Sequence, residues 1–224
     1  MRKIVGSAFV SLDGVIQAPG GPSEDWTGGF TKGGWLPALG DDALGEAIDR
    51  LFKDPFDLLL GRRTYEIFAA YWPYAEGGSA PMGALFDRVG KFVVTRRDEP
   101  LEWQNTHRVT GIDALAKLKR GEGPDLLIQG SSTLYPQLLA AGLLDRLTLM
   151  TFPLVLGRGK RLFGKGTPPG TMKMIDHVVS SAGNIIATYE PAGAVALGSY
   201  VTQPPSAREH ERQQQMKREE EDAA

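Results

Sequence analysis

Three short runs in this chain draw on glycine, arginine and hydroxyl side chains, the residue types that bind phosphate. Gly61-Arg62-Arg63-Thr64 follows the apolar run from Phe56 to Leu60. Glycine permits close approach of a ligand to the backbone, and Thr64 adds a donor at a helix start, where the terminus itself attracts anions. Thr95-Arg96-Arg97 ends the run that begins at Lys91, and its two guanidinium groups bring fixed charge in a fork that matches phosphate. Gln129-Gly130-Ser131-Ser132-Thr133-Leu134 ends a third apolar run, from Leu126, as a donor-rich turn. Each run taken singly has a plainer reading: a helix cap for Ser131 to Thr133, a solvated loop for Arg96-Arg97. Their recurrence at the carboxyl ends of strands, where open α/β sheets bind ligands, points to one ligand carrying several phosphates.

The elements that must position these turns alternate along the chain. Arg2 to Ser11 reads as a first buried strand. A glycine-rich loop then runs from Gln17 to Gly40 and holds Trp26, Phe30 and Trp35. Loops of this length without structure are functional or disordered, and the aromatic residues argue against a mere linker. Asp41 and Asp42 open a helix with Leu44, Ile48, Leu51 and Phe52 at helical spacing. Helices are also expected at Arg62 to Tyr71, Ile112 to Leu118 and Leu134 to Ala141. Further strands are expected at Val109, Leu126 to Gln129 and Arg146 to Leu156, with a hairpin made by Met172 to Val179 and Ile185 to Tyr189. Alternating strands and helices imply an α/β fold: a three-layer sandwich whose mainly parallel sheet is flanked by helices and closed by a C-terminal antiparallel hairpin. Residues 1–191 form the domain. Residues 192–224 form a charged tail, expected to be disordered or a solvated helix because Arg208 to Asp222 lacks an apolar stripe.

In order along the chain, Ser11-Leu12-Asp13-Gly14, Leu60-Gly61-Arg62-Arg63-Thr64-Tyr65-Glu66, Val93-Val94-Thr95-Arg96, Gln129 to Leu134, and the stretch from Leu143 through Pro153–Gly159 to Leu162-Phe163 resemble the motifs of dihydrofolate reductase-like proteins. They are most similar to the reductase domain of the bifunctional riboflavin-biosynthesis deaminase/reductase. The resemblance implies NADPH as cofactor and a small heterocyclic molecule as substrate. It places Gly61, Arg62, Arg63 and Thr64 on the adenosine and pyrophosphate side, and Thr95, Arg96 and Arg97 at the 2′-phosphate. Gln129, Gly130, Ser131, Ser132, Thr133 and Leu134 would cradle the pyrophosphate, and Ala8 and Ile16 would border the nicotinamide. The Gln17–Gly40 loop would cover the substrate, with Trp26 or Trp35 available to stack on a flat heterocycle. A homodimer is implied on the same ground. For proton delivery the candidates are Asp13, which also reads as an ordinary turn residue, and Glu46, which also reads as a solvated helix residue. The second reading of the whole chain is a catalytically silent NADPH-binding sensor or assembly protein.

Composition narrows the remaining classes. The 224 residues hold no cysteine, which excludes disulfides and thiolate chemistry and fits a reducing, cytoplasmic setting. A net charge of −2 gives no general field for nucleic acid or anionic membrane, and no run approaches the length of a membrane span. Gly159-Lys160-Arg161-Leu162-Phe163-Gly164-Lys165 has P-loop spacing, but Gly166 stands where Ser or Thr is required. His107, His177 and His210 lie in separate stretches, so no metal site is expected.

Overall fold

The computed structural model describes residues 1–223 and divides into two compact units, Met1–Ala194 and the segment from Val195 onward. In chain order the first unit holds β1 (Ile4–Ser11), α1 (Asp42–Leu51), β2 (Phe56–Gly61), α2 (Arg62–Tyr71), α3 (Ala80–Arg88), β3 (Lys91–Val94) and β4 (Thr106–Val109). There follow α4 (Ile112–Arg120), β5 (Asp125–Gln129), α5 (Leu134–Ala140), β6 (Arg146–Phe152), β7 (Met172–Val179) and β8 (Ile185–Pro191). One sheet runs in the order β4-β3-β2-β5-β1-β6-β8-β7. Its first six strands are parallel, and the β7–β8 hairpin joins β6 antiparallel. The expected mainly parallel α/β sheet with a closing antiparallel hairpin is therefore the observed architecture.

Both sheet faces are covered, which explains why the central strands read as unbroken apolar runs rather than alternations. Leu58, Leu59 and Leu60 are fully buried in β2. On one face Ile4, Ala8, Leu126, Ile128 and Leu147 pack against Leu115 of α4 and Tyr135 and Leu138 of α5. On the other, α1 and the long loop cover Met150 and Phe152, while α2 and α3 cover Leu58, Leu60 and Val93.

Two features depart from the sequence reading. Helix α3 lies in a stretch the periodicity passes over, because Pro81 and Gly83 resemble loop residues. Proline fits the first helical turn, and Gly83 is a packing glycine: a Cβ there would lie 2.5 Å from the Trp72 carbonyl oxygen. The loop from Gln17 to Gly40 is not structureless. It contains short 3-10 turns at Thr27–Gly29 and Pro37–Leu39 and sends Ala18, Phe30 and Trp35 into the core.

The second unit carries α6 (Ala207–Asp222), capped by Ser206 and with no buried residue. Among the described residues no helix is long and apolar enough to cross a membrane, and no group of three or more His, Asp or Glu side chains is arranged to hold a metal.

Candidate cofactor and substrate site

Strands β3, β2 and β5 are neighbours and parallel, so the three polar turns that follow them share one edge of the sheet. One hydrogen bond joins two of them directly. The Gly61 amide donates to Ser131 Oγ at 2.9 Å, tying the end of β2 to the turn after β5. Gly130 and Ser131 both have positive φ, 65° and 48°. A serine held in the left-handed region stores strain of the kind found at ligand sites. Helix α2 begins without a side-chain cap, which leaves its first N–H groups suited to an anion.

The arginines around this edge differ in freedom. Arg62 is paired with Glu66 along α2. Arg63 is half-exposed, with its Nη1 3.8 Å from Asp25. Arg97 lies 3.4 Å from Glu99. Arg96 is exposed and has no ion-pair partner among the described residues. Thr95 is buried, and its Oγ1 accepts the Arg97 amide at 3.1 Å, so it shapes the turn that presents both guanidinium groups.

Several residues expected to touch a ligand have other work. Ser131 Oγ is occupied by Gly61, so the side chain staples strand ends. Leu134 is buried in the core, and its amide already donates to the Ser131 carbonyl at 2.9 Å. Ala8 is buried, and Ile16 packs against the same cluster. Trp35 is no stacking platform. Its ring packs edge-on against Phe152 and its Nε1 donates to the Gln17 carbonyl at 2.9 Å, which buries it. Trp26 is 67% exposed and remains free to stack.

The two carboxylates considered as proton donors are corrected by their surroundings. Glu46 is 73% exposed on α1 and faces Arg50, as a solvated helix residue does. Asp13 accepts hydrogen bonds from the amides of Leu156 and Gly157 and from Ser11 Oγ at 3.0, 2.9 and 2.7 Å. The Leu156 amide and then the Ser11 hydroxyl outweigh the opposing effect of burial and hold its pKa at about 2. Asp13 is thus an ionised clamp between the end of β1 and the loop after β6, with no proton to give at neutral pH. A carboxylate whose folded pKa lies below its ordinary 3.8 stabilises above that value, and the contribution is lost as pH falls toward 2. Asp13→Asn is expected to flatten the acid limb of the stability profile over that window, measured by urea unfolding; an unchanged limb would assign it to other carboxylates.

Residues the sequence reading left aside build a second network. Asp25, itself buried, pairs with Lys160 and accepts from Thr27 Oγ1 at 2.6 Å. Burial works against its carboxylate, but the hydrogen bonds from Lys160 and Thr27 prevail and keep its pKa below the ordinary value. Gln17 is also buried. Its Nε2 donates to the carbonyls of Asp25 and Thr27 at 3.0 and 2.9 Å, and its Oε1 accepts the Lys160 amide at 3.0 Å. Of these, Gln17, Thr27 and Lys160 line a cleft of about 280 Å³, together with Gly28, Phe30 and Arg158. Another cleft of about 340 Å³ opens beside Asp13, between Leu149, Thr151, Arg161 and Phe163. The only sequence signal for Asp25 was Asp-x-Thr, the spacing of an Asx turn.

A mainly parallel sheet flanked by helices, with polar turns at three neighbouring carboxyl ends, two of them bearing arginines, defines an α/β protein. Comparison with known proteins makes the assignment specific: the chain belongs to the RibD C-terminal domain family, which matches residues 2–186. It is 26% identical over 192 residues to the uncharacterized protein YyaP of Bacillus subtilis, covering 84% of this chain and 94% of that one. Among solved structures it resembles a Shewanella sp. PV-4 protein named for riboflavin biosynthesis, at 20% identity and a TM-score of 0.61, over 85% of this chain and 99% of that one. It also resembles dihydrofolate reductase from Enterococcus faecalis, solved with NADP(H), at 17% identity and a TM-score of 0.52, over 84% and 96% of the two chains. The fold is thus dihydrofolate reductase-like, and family membership supports a reductase-type function.

Proposed function

We propose that this protein is an NADPH-dependent reductase that delivers hydride to a C=N or C=O group of a small pterin-, pyrimidine- or related heterocycle-like substrate. The observation that carries the reading is the meeting of three phosphate-suited turns at one sheet edge. Its donor set fits the cofactor: the uncapped start of α2 for pyrophosphate, and exposed Arg96 and Arg97 for a 2′-phosphate. The chemistry such a cofactor supplies is hydride transfer from its nicotinamide. The chain's part is to bind and orient: Arg62, Arg63 and Thr64 on one side of the edge, Gly130 to Thr133 on the other, and Trp26 to stack on a flat substrate.

The proton is assigned to solvent, since Asp13 is held ionised and Glu46 faces water. That same finding favours a second reading, a catalytically silent NADPH-binding protein. Two measurements separate them. NADPH should protect against thermal unfolding more than NADH does; ligand at about 100 times its Kd adds roughly 2.7 kcal/mol. Absorbance of NADPH should then fall with at least one member of a heterocycle panel. Tight binding without turnover selects the silent reading, and absence of protection at millimolar NADPH sinks both.

A further inference from the structure

Asp25 serves two cations that come from different parts of the chain. Its Oδ2 meets Lys160 Nζ at 2.5 Å, and its Oδ1 lies 3.8 Å from Arg63 Nη1. The carboxylate is fixed in place, because the Thr27 amide and hydroxyl both donate to Oδ1, at 3.1 and 2.6 Å. The cations are less constrained: the Asp25 side chain is 8% exposed, against 39% for Lys160 and 49% for Arg63. Three segments therefore meet at one nearly buried charge. They are the first turn of α2, the loop around Asp25, and the glycine-rich stretch at Gly159-Lys160 that walls the smaller cleft.

We infer that Asp25 is a positioning residue that links occupancy of the cofactor turn to the wall of the cleft lined by Gln17, Thr27 and Lys160. The inference rests on the cofactor reading, in which Arg63 acts on the pyrophosphate side. A phosphate that draws Arg63 away leaves Lys160 as the one ionic partner of Asp25. The loop and the glycine-rich stretch are then held together more firmly, and the cleft is braced for a substrate. In reverse, loss of Lys160 leaves Arg63 as the sole cation for a desolvated carboxylate, which holds Arg63 back from the phosphate. The coupling is reciprocal, as any linkage between two sites must be. Lys160 thereby influences a ligand it does not touch.

The test is NADPH titration by fluorescence at low ionic strength, where ion pairs are least screened. It compares the wild-type chain, Lys160→Met, Asp25→Asn and the double variant, with thermal unfolding to show that each is folded. Lys160→Met is expected to weaken NADPH about threefold to fivefold, the scale of a partly exposed ion pair. Asp25→Asn is expected to tighten it, because Arg63 is released and a nearby anion is removed. In the Asp25→Asn background the Lys160→Met loss should vanish. A loss that persists there is only the general field of the lysine and overturns the linkage, as does an unchanged Kd in Lys160→Met. If Lys160→Met does not fold, Lys160→Gln takes its place in the same comparison. A wild-type chain that binds no NADPH overturns the cofactor reading and the linkage with it.

Discussion

Replacing Arg96 and Arg97 together by alanine is expected to raise the Kd for NADPH by at least about 100-fold while changing that for NADH by less than about threefold, because charge-assisted hydrogen bonds to a phosphate contribute on the order of 1.5–3 kcal/mol each. The two nucleotides differ only in the 2′-phosphate, so the selective loss isolates the groups that would hold it. The residues should not contribute equally. Arg97 has Glu99 at 3.4 Å, which competes with a phosphate for the guanidinium. Arg96 is exposed with no such partner among the described residues. Arg96→Ala should therefore cost more than Arg97→Ala. Arg96→Lys should recover only part of the affinity, since an ammonium keeps the charge but not the fork. Equal losses for NADPH and NADH would mean that the pair supplies a general positive field, and the preference would have to lie elsewhere. Thr95 needs a separate control, because its hydroxyl holds the Arg97 amide; Thr95→Val should disturb both arginines at once through the backbone.

The edge that carries those arginines was legible because each strand is a local pattern. Phe56 to Gly61 or Lys91 to Val94 announces itself by apolar run and polar stop, whatever it pairs with. What placed the three stops side by side was the order β3-β2-β5, a set of non-local pairings that no local pattern encodes. The same limit separates Trp26 from Trp35. Both sit in one glycine-rich loop, and only the packing of Phe152 against Trp35 makes one core and the other surface. Asp13 is a similar case. An Asp-Gly pair after a strand serves equally as turn or acid until its partners are known, and those partners, Leu156 and Gly157, arrive more than 140 residues later. Asp25 has no such signal, because a polar residue in a polar loop gives no sign that it will be buried. Its role depends on Lys160 and Arg63, which the fold alone brings to it.

Gly6→Ala is expected to lower folding stability by about 2 kcal/mol, the scale of overpacking a close-packed interior. Gly6 is the third residue of β1, and a Cβ there would stand 2.6 Å from Tyr135 Cε1, 2.9 Å from its hydroxyl and 3.0 Å from Leu147 Cδ1. A glycine-to-alanine change at a permissive backbone gains about 0.4–1 kcal/mol by restricting the unfolded chain, so the clash must exceed that gain for the sign to hold. It does, because Tyr135 has nowhere to go: it is fully buried, its hydroxyl donates to the Ser7 carbonyl at 3.3 Å, and burial pushes its phenol pKa up. Urea unfolding measures the loss, and an unmoved midpoint would show that the α5 helix yields freely. The consequence reaches the site, since Tyr135 is the second residue of α5, one residue beyond the end of the Gly130–Thr133 turn. Pressure on its ring displaces that turn from Gly61, so NADPH affinity should fall along with stability. Tyr135→Leu alone leaves a cavity. In the Gly6→Ala background it also removes the ring that is struck, so the double variant should be more stable than the sum of the single losses predicts.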